Sequence, residues 1–309
     1  MAPTDVTVII PTLNAAEFLA GQVDTLCSQA LPPGRIIVID SGSTDITASL
    51  ARGLPVELLT IKPGTFDHGA TRNLAAEHAR GEIIIFMTQD ALPVNNETIL
   101  RLVEPFLEEE KVIVSYARQI PAQTASPGEK YLRLANYPPQ SAVKKKEDIP
   151  VMGIKTFQNS NVCAAYRRSE FTALGCFPAP VVCNEDMLFA ARAILAGYSV
   201  AYSAEALVSH THNLSLFKQF KRYFDIAASL DHQPDIKAFG KAEEKGVQFV
   251  KGQLAYLQQE RKLTHLPITL LEIVAKYMGY KSGSKHSYIP DLLKPYMGSN
   301  KLYWQNIRK

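Results

Sequence analysis

The sequence predicts an α/β protein: a doubly wound, mainly parallel sheet followed by a C-terminal helical extension. Short apolar runs of strand length alternate with stretches of helical period through the first 120 residues, the pattern of a sheet covered on both faces. Several of those runs stop on a polar or acidic turn residue. After residue 213 the text turns helical and basic. Residues 215–309 hold 16 Lys and Arg against 8 Asp and Glu, whereas the rest of the chain holds 17 against 22.

The elements follow in order. Val6–Pro11 is a first apolar run, and Ala15–Gln29 carries Phe18, Leu19, Val23, Leu26 and Cys27 on one helical stripe. Arg35–Asp40 is a second buried strand, with Ser43 or Thr44 to cap a helix that runs to Arg52. Val56–Ile61 makes a third strand, Thr71–Arg80 a helix, Glu82–Met87 a fourth strand and Asn95–Glu109 a helix, and Val112–Ala117 closes the series. Between Gln119 and Gly153 the text is rich in Pro and Lys (Pro121, Pro127, Pro138, Pro139, Lys144, Lys145, Lys146), which suits a surface loop with a short helix near Glu129–Ala135. A second regular region brings a strand over Asn161–Tyr166, a helix from Arg168, a helix opened by Asn184 and stopped by Gly197, and strands over Tyr198–Tyr202 and Ala206–Ser209. Helices are expected over Leu214–Leu230, Asp235–Arg261 and Ile268–Met278.

At 309 residues, 46% hydrophobic and 20% charged, the chain has the composition of an ordinary soluble protein. Cys27, Cys163, Cys176 and Cys183 lack zinc-ligand spacing and read as reduced thiols of a cytoplasmic protein. No basic leader or long apolar run precedes the first strand, so no signal peptide is expected, and no stretch is apolar enough to span a bilayer. The resulting expectation is a cytoplasmic protein.

Neither a Gly-x-Gly-x-x-Gly turn nor a Gly-Lys-Ser/Thr phosphate loop is present. The first strand instead runs into Pro11-Thr12-Leu13-Asn14 and the second into Asp40-Ser41-Gly42-Ser43-Thr44-Asp45. An acid at a strand's carboxyl end can read a pyrimidine N3–H or a ribose hydroxyl. Asp40 is equally well read as a turn residue bonded to its own backbone. Asp90 ends the run Ile83-Ile84-Ile85-Phe86-Met87-Thr88-Gln89-Asp90 and so lies where open α/β folds meet a nucleotide's phosphates and metal.

Four segments occur in order with helix-sized gaps: Val8-Ile9-Ile10-Pro11-Thr12-Leu13-Asn14, Ile39 to Asp45, Ala70-Thr71-Arg72-Asn73, and the strand ending at Asp90. Together they resemble the family 2 glycosyltransferases of the GT-A fold, over roughly residues 5–215. The resemblance implies a GT-A-like catalytic domain over 1–213, with a donor half at about 1–118 and an acceptor half at about 119–213, followed by a basic α-helical region at 214–309. It also implies transfer of a sugar from a nucleotide-sugar donor to a saccharide or lipid-linked saccharide, with inversion at the anomeric carbon. Gly64 to Asn73, Thr88 to Pro93, and Arg118-Gln119-Ile120-Pro121 look most like the rhamnosyltransferase branch. The donor so implied is dTDP-L-rhamnose, for bacterial surface polysaccharide synthesis.

The resemblance also assigns roles. Pro11, Thr12, Asn14, Asp40 and the Ser41-Gly42-Ser43 turn fall on the donor side. Asp186 falls where the family places its catalytic base, with Glu185 orienting it or binding acceptor; Asn184 as N-cap and two acids favoured by the helix dipole is the structural alternative. Where most of the family has Asp-x-Asp, this chain has Thr88-Gln89-Asp90, so a divalent cation (Mg or Mn) would lean on Asp90, the diphosphate and a histidine. His210 fits that place, with His212 in reserve. Asp67 and His68 could meet sugar or diphosphate, Arg72 could neutralise phosphate or pair with an acid in the sheet, and Asn159-Ser160-Asn161 could line the sugar side or simply turn the chain.

Phe217, Phe220, Tyr223 and Phe224 beside Lys218, Lys221 and Arg222 read first as core and surface of a helix. A basic amphipathic segment could also hold the protein on the inner face of the cell membrane, or serve a homodimer. A UDP-sugar donor, a non-catalytic nucleotide-sugar or polysaccharide-binding module, and a nucleic-acid binder are the competing functions. No recognition motif supports the last, and no nucleic-acid partner is expected.

Overall fold

The computed structural model of the chain describes residues 5–211, 213–240 and 242–307. It divides into two units. The first takes the chain up to Ile120 together with Tyr137–Pro180 and Glu185–His210, and the second takes Pro121–Asn136, Val181–Asn184 and everything from Thr211.

The first unit holds the sheet. Its strands are β1 (Val6–Thr12), β2 (Arg35–Asp40), β3 (Glu57–Thr60), β4 (Ile83–Met87), β5 (Leu92–Pro93), β6 (Val112–Ile120), β7 (Ala142–Lys144), β8 (Cys163–Arg167) and β9 (Ser199–Ser209). The order is β3-β2-β1-β4-β8-β6-β9-β5, with β7 also on β9. β3, β2, β1 and β4 are mutually parallel, as are β6 and β9, while β8 lies antiparallel between β4 and β6. The chain moves outward from β1 to β3 and then returns to the other side of β1 as β4. That reversal makes the carboxyl ends of β1 and β4 the switch point of the sheet, the usual ligand position in such folds.

Strand alternation decides which helices cover which face. Ile83, Ile85 and Met87 of β4 join a core with Val8, Ile10 and the inner stripe of α1 (Leu19–Cys27), all of it buried. Phe86 points the other way into an aromatic cluster with Tyr166, Phe171, Phe177 and Phe189, whose ring centroids lie 4.8–5.8 Å apart. Such edge-on and tilted pairs are the favoured aromatic geometry.

The remaining helices of this unit are α2 (Thr47–Arg52), α3 (His68–Glu77), α4 (Thr98–Val103), α5 (Pro105–Glu108), α7 (Ile149–Met152), α8 (Arg168–Ala173) and α9 (Glu185–Leu195); α6 (Pro127–Asn136) belongs to the second unit. Four differences from the sequence expectation bear on the architecture, and the helix expected over Thr71–Arg80 starts earlier, at His68. The first helix starts at Leu19, since Ala15–Phe18 form a turn, and leaves Phe18 and Cys27 exposed. The single helix expected over Asn95–Glu109 breaks at Pro105, which has no N–H to continue the ladder. The two strands expected after Gly197 are one long β9. Finally, the Lys-rich stretch expected as surface loop contributes β7, and Lys144 is buried.

In the second unit, α10 (Leu216–Asp231), α11 (Pro234–Lys237), α12 (Ala242–Gln259), α13 (Leu266–Gly283), α14 (Lys294–Met297) and α15 (Lys301–Asn306) follow one another. The helix expected over Asp235–Arg261 is therefore two, α11 and α12. Gly279 and Gly283 bring α13 against the carbonyls of Phe220 and Phe224, so closely that a Cβ on either glycine would sit 2.1–2.2 Å from the carbonyl oxygen. The Asp225 carboxylate accepts from Trp304 Nε1 (2.7 Å) and from the backbone of Ser299 and Asn300 (2.7 and 2.9 Å), which ties α15 to α10. Phe224 is core, packed on Trp304, as the plain reading of the α10 aromatics expected. No helix among the described residues is long and apolar enough to cross a membrane.

Candidate active site

The parallel register of β1 on β2 sets Thr12 beside Asp40. Asp40 is buried, and its carboxylate accepts from Gly42 N (3.1 Å) and Ser43 N (2.9 Å), from the Ser43 hydroxyl and, at 3.4 Å, from Thr12 Oγ1. Asp40 therefore shapes the turn that follows it, as its turn reading required. Gly42 has φ +87°, and a Cβ there would meet Pro63 Cγ at 2.6 Å, so the turn admits only glycine. Ser43 and Thr44 do not cap α2. Ser43 Oγ accepts from Asn14 N (2.8 Å), Thr44 N donates to Asn14 Oδ1 (2.9 Å), and Asp45 takes the Thr47 N–H (2.9 Å) in their place. Pro11 lies beside Ile39, one residue before the strand ends at Thr12.

On the other side of β1, the turn after β4 is held from within. Gln22 of α1 is buried and donates to the carbonyls of Thr88 (2.8 Å) and Ala91 (2.7 Å). The Gln89 amide brackets Leu13, accepting from its N–H (2.8 Å) and donating to its carbonyl (3.2 Å). The two strand-end turns are thus fixed to each other, and Asp90 stands at the rim. Its Oδ2 lies 3.4 Å from Nε2 of His210, whose side chain is only 2% exposed against 23% for Asp90. His210 Nδ1 faces Gln119 Oε1 at 3.2 Å, while Gln119 Nε2 donates to Tyr137 OH (2.6 Å) and Ser160 Oγ (2.8 Å). With the amide in that orientation, Nδ1 is the ring nitrogen that donates to Gln119, and Nε2 is the one that faces Asp90. His212 lies outside the described residues.

The second pair of acids opens α9. Asn184, expected as its N-cap, sits instead at φ +64°, outside the extended conformation of a cap residue. Glu185 is buried and forms an ion pair with Arg72 at 3.3 Å, both side chains 6% exposed, and it accepts from Asn161 Nδ2 at 3.0 Å. Arg72 thus pairs with an acid on a helix, not on the sheet, and also donates to the His68 carbonyl at 2.9 Å. Burial pushes the Glu185 carboxyl up, but the charges of Arg72 and His68 and the Asn161 amide outweigh it and hold it below the usual glutamate range. Asp186 is half-buried as a residue, and its carboxylate accepts from Asn161 N (2.8 Å) and Met187 N (2.7 Å). Its dense surroundings, and then the adjacent Glu185 charge, push its carboxyl up to about 7.

The loop between α7 and β8 serves both clusters. Asn159 donates to Tyr166 OH (2.8 Å) and to the Asp186 carbonyl (3.3 Å), Ser160 holds Gln119, and Asn161 holds both acids. Asp67 caps α3, accepting from Gly69 N (3.0 Å) and Ala70 N (2.8 Å), and His68 lies within that first turn against Phe66. Sequence reasoning missed Gln22, Gln119, Tyr137 and Lys144. Lys144 Nζ donates to Tyr116 OH (3.1 Å) and to the carbonyl of Gln158, which anchors the start of the same loop. An isolated glutamine in a helix or a lysine in a Lys-rich run carries no local signal of such use.

The site is therefore two acid centres on one frame, Asp90 with His210 and Asp186 with Glu185. Comparison with known proteins identifies the frame. The family model for glycosyl transferase family 2 matches residues 7–175. The O-antigen chain rhamnosyltransferase RfbN of Salmonella typhimurium is 40% identical over 306 residues, covering 98% of this chain and 97% of that one.

The chain belongs to glycosyl transferase family 2.

A second relative, the O-antigen chain rhamnosyltransferase WbaN of Salmonella anatum, is 38% identical over 98% of this chain and 96% of its own. Among solved structures, the mannosyltransferase PcManGT of Pyrobaculum calidifontis, in complex with GDP-Man and Mn2+, superposes with a TM-score of 0.61 at 20% identity, over 93% of this chain and 87% of that one. TarS 1-349 of S. aureus with UDP-GlcNAc gives 0.53 at 18% identity, over 92% and 91%. These likenesses show the fold, and the GT-A architecture expected from the sequence is the one observed. The protein is a glycosyltransferase.

Proposed function

We propose that this glycosyltransferase moves L-rhamnose from dTDP-L-rhamnose to a saccharide or lipid-linked saccharide acceptor with inversion, Asp186 acting as base. The observation that carries the reading is the separation of the two acids that open α9. Glu185 is spent on Arg72 and Asn161, which makes it a positioning residue and not a group that meets acceptor. Asp186, half-buried where Glu185 is buried, has no cationic side chain paired with it by a salt bridge among the described residues and is poised near neutrality. A base whose proton affinity matches the working pH is most effective at taking the acceptor hydroxyl's proton as that oxygen attacks the anomeric carbon. Two backbone N–H groups fix the carboxylate, so it need not reorganise during the step. The narrower donor assignment is supported by the two O-antigen rhamnosyltransferase relatives and by the motifs that resemble that branch.

The nucleotide end is assigned to the β1 and β2 turns, with residues 1–118 as donor half and 119–213 as acceptor half. Thr12, Asn14 and the Ser41-Gly42-Ser43 turn supply backbone and hydroxyl groups at the carboxyl edge of the sheet. Because the Asp40 carboxylate is engaged by its own turn, its contribution to base recognition is to hold that turn in shape.

A divalent cation fits the Asp90–His210 centre. Asp90 Oδ2 and His210 Nε2 stand 3.4 Å apart, close enough for one cation to take both as donors. The mixed O and N donor set suits Mn2+ and admits Mg2+, with phosphate oxygens completing the shell. Thr88, in the place of the family's other acid, is half-buried and offers no charge, and its buried Oγ1 has no hydrogen-bond partner among the described residues. When bound, the cation would neutralise charge on the leaving diphosphate. Gln119 keeps the His210 ring in the required tautomer.

The test is a donor panel with purified enzyme, scored by product formation and by the anomeric configuration of the product. Turnover is expected with dTDP-L-rhamnose, with inverted configuration and loss on chelation that Mn2+ or Mg2+ restores. Turnover with UDP-sugars alone would overturn the donor assignment, and a retained configuration would overturn the mechanism.

A further inference from the structure

Helix α13 is built the wrong way round for a surface helix. Its outward stripe, at helical spacing, is Leu270, Leu271, Val274, Tyr277 and Met278, each more than two-fifths exposed. Two of its three charged residues, Glu272 and Lys276, are half-buried off that stripe, and burial pulls the Lys276 ammonium below its usual value. An amphipathic helix on a water-facing surface has the reverse arrangement. The following segment continues the pattern, with Tyr288 87% exposed, Leu292 68% and Tyr296 64%. An apolar face of this extent needs an occupant.

The charges around the face identify that occupant. Lys281, at the end of the same stripe, lies over the Tyr277 ring, and Lys285 and Lys301 are also exposed, Lys301 over the Tyr296 ring. On α10, the helix packed against α13, a cavity of about 500 Å³ is lined by Leu214, Phe217, Lys218, Lys221, Arg222 and Ser299. Phe217 is 63% exposed, with Lys221 Nζ 4.6 Å from its ring. An apolar stripe with tyrosines at its margins and lysines beyond them matches the layers of a bilayer interface: acyl boundary, headgroup, anionic surface. A second copy of this chain fits poorly. A two-fold contact sets each patch against itself and would bring the lysines of both copies together.

We propose that the helical unit docks on an anionic lipid bilayer, with the outward stripe of α13 and the Tyr288–Tyr296 segment in the interface and the α10 lysines on the headgroups. The surface, not the identity of donor or acceptor, carries this inference.

The experiment is co-sedimentation of the full chain with vesicles of phosphatidylcholine alone or with about one-third phosphatidylglycerol, at low and high salt, since each basic residue at such a surface contributes about fivefold to binding. Wild type is expected to bind the anionic vesicles at least tenfold more strongly than neutral ones, with binding falling as salt rises. Leu271→Glu with Val274→Glu should abolish binding, and Lys281→Glu with Lys285→Glu should cut it at least tenfold. Both variants should keep the wild-type melting temperature and transfer to a soluble acceptor. Absence of vesicle binding in folded wild type, or binding unchanged in both variants, would overturn the proposal. So would a solution dimer that Val274→Glu dissociates while wild type ignores vesicles, which would assign the face to a second copy.

Discussion

Glu185→Gln separates the electrostatic part of the proposed mechanism from its chemistry. The substitution keeps an oxygen for the Asn161 amide but removes the charge that faces Arg72 at 3.3 Å. Two consequences follow from the same lost charge. Arg72 stays buried without its counter-ion, and breaking such a pair costs about 3–5 kcal/mol. The bond from Arg72 to the His68 carbonyl survives, which favours the lower end of that range. Asp186, meanwhile, loses the second of the two causes that push its carboxyl up to about 7, and burial remains. A neighbouring charge at this depth is worth roughly 1–3 kcal/mol, or about 1–2 pH units at 1.36 kcal/mol per unit. The acid limb of kcat/KM should therefore fall from near pH 7 in wild type by about 1–2 units in the variant. The stability effect has a fixed sign. A carboxyl raised in the fold contributes stability in full below its ordinary value of 3.8, and that contribution is gone once pH has risen through about 7. The variant should show less of this decline. The assay is a pH profile of kcat/KM beside thermal melts of both proteins. An acid limb that stays near 7 in a folded variant would refute the claim that the Glu185 charge sets the proton affinity of Asp186.

Three further outcomes are expected from two variants. Phe171→Ala should cost about 3–5 kcal/mol, because Phe171 is fully buried in the aromatic cluster with Phe86, Tyr166, Phe177 and Phe189; urea unfolding checks this, and a midpoint within error of wild type would contradict it. Lys144→Met should lower kcat more than it raises donor KM, because the carbonyl Lys144 holds starts the loop that fixes Asp186 and Gln119. Burial also pulls the Lys144 ammonium down to about 7, so wild-type stability should rise with pH from about 7 toward the ordinary lysine value of 10.5, and Lys144→Met should abolish that rise. Equal slopes in the two proteins across that window would contradict it.

The elements easiest to read in the sequence were those whose signal is local. Arg35–Asp40 was expected from its apolar run and is found with those bounds, and Gly197 stops α9 with φ +94° as a glycine stop should. Boundaries failed where the deciding partner is remote. Thr44 was expected to cap a helix, yet Asn14, thirty residues away, claims it. Lys144 sits in a run of lysines and reads as surface, but only the fold places Tyr116 and Gln158 around it. Asp90, His210 and the α9 acids, which meet in the proposed site, were singled out from the family resemblance. The roles of their supports were not legible: Gln22 and Gln119 were given none and the acid partner of Arg72 was expected in the sheet, because these contacts span 66 to 113 residues. The choice of Asp186 over Glu185 as base likewise becomes physical only when Arg72 is seen to occupy the other acid.

The most direct test of the account is single-turnover transfer by Asp186→Asn, with donor affinity measured separately by titration. The account predicts donor affinity within a few-fold of wild type and a transfer rate lower by about 10²–10⁴, the contribution of a general base. Transfer within a few-fold of wild type across pH 6 to 8 would contradict it, since no base titrating near neutrality would then be at work in the step.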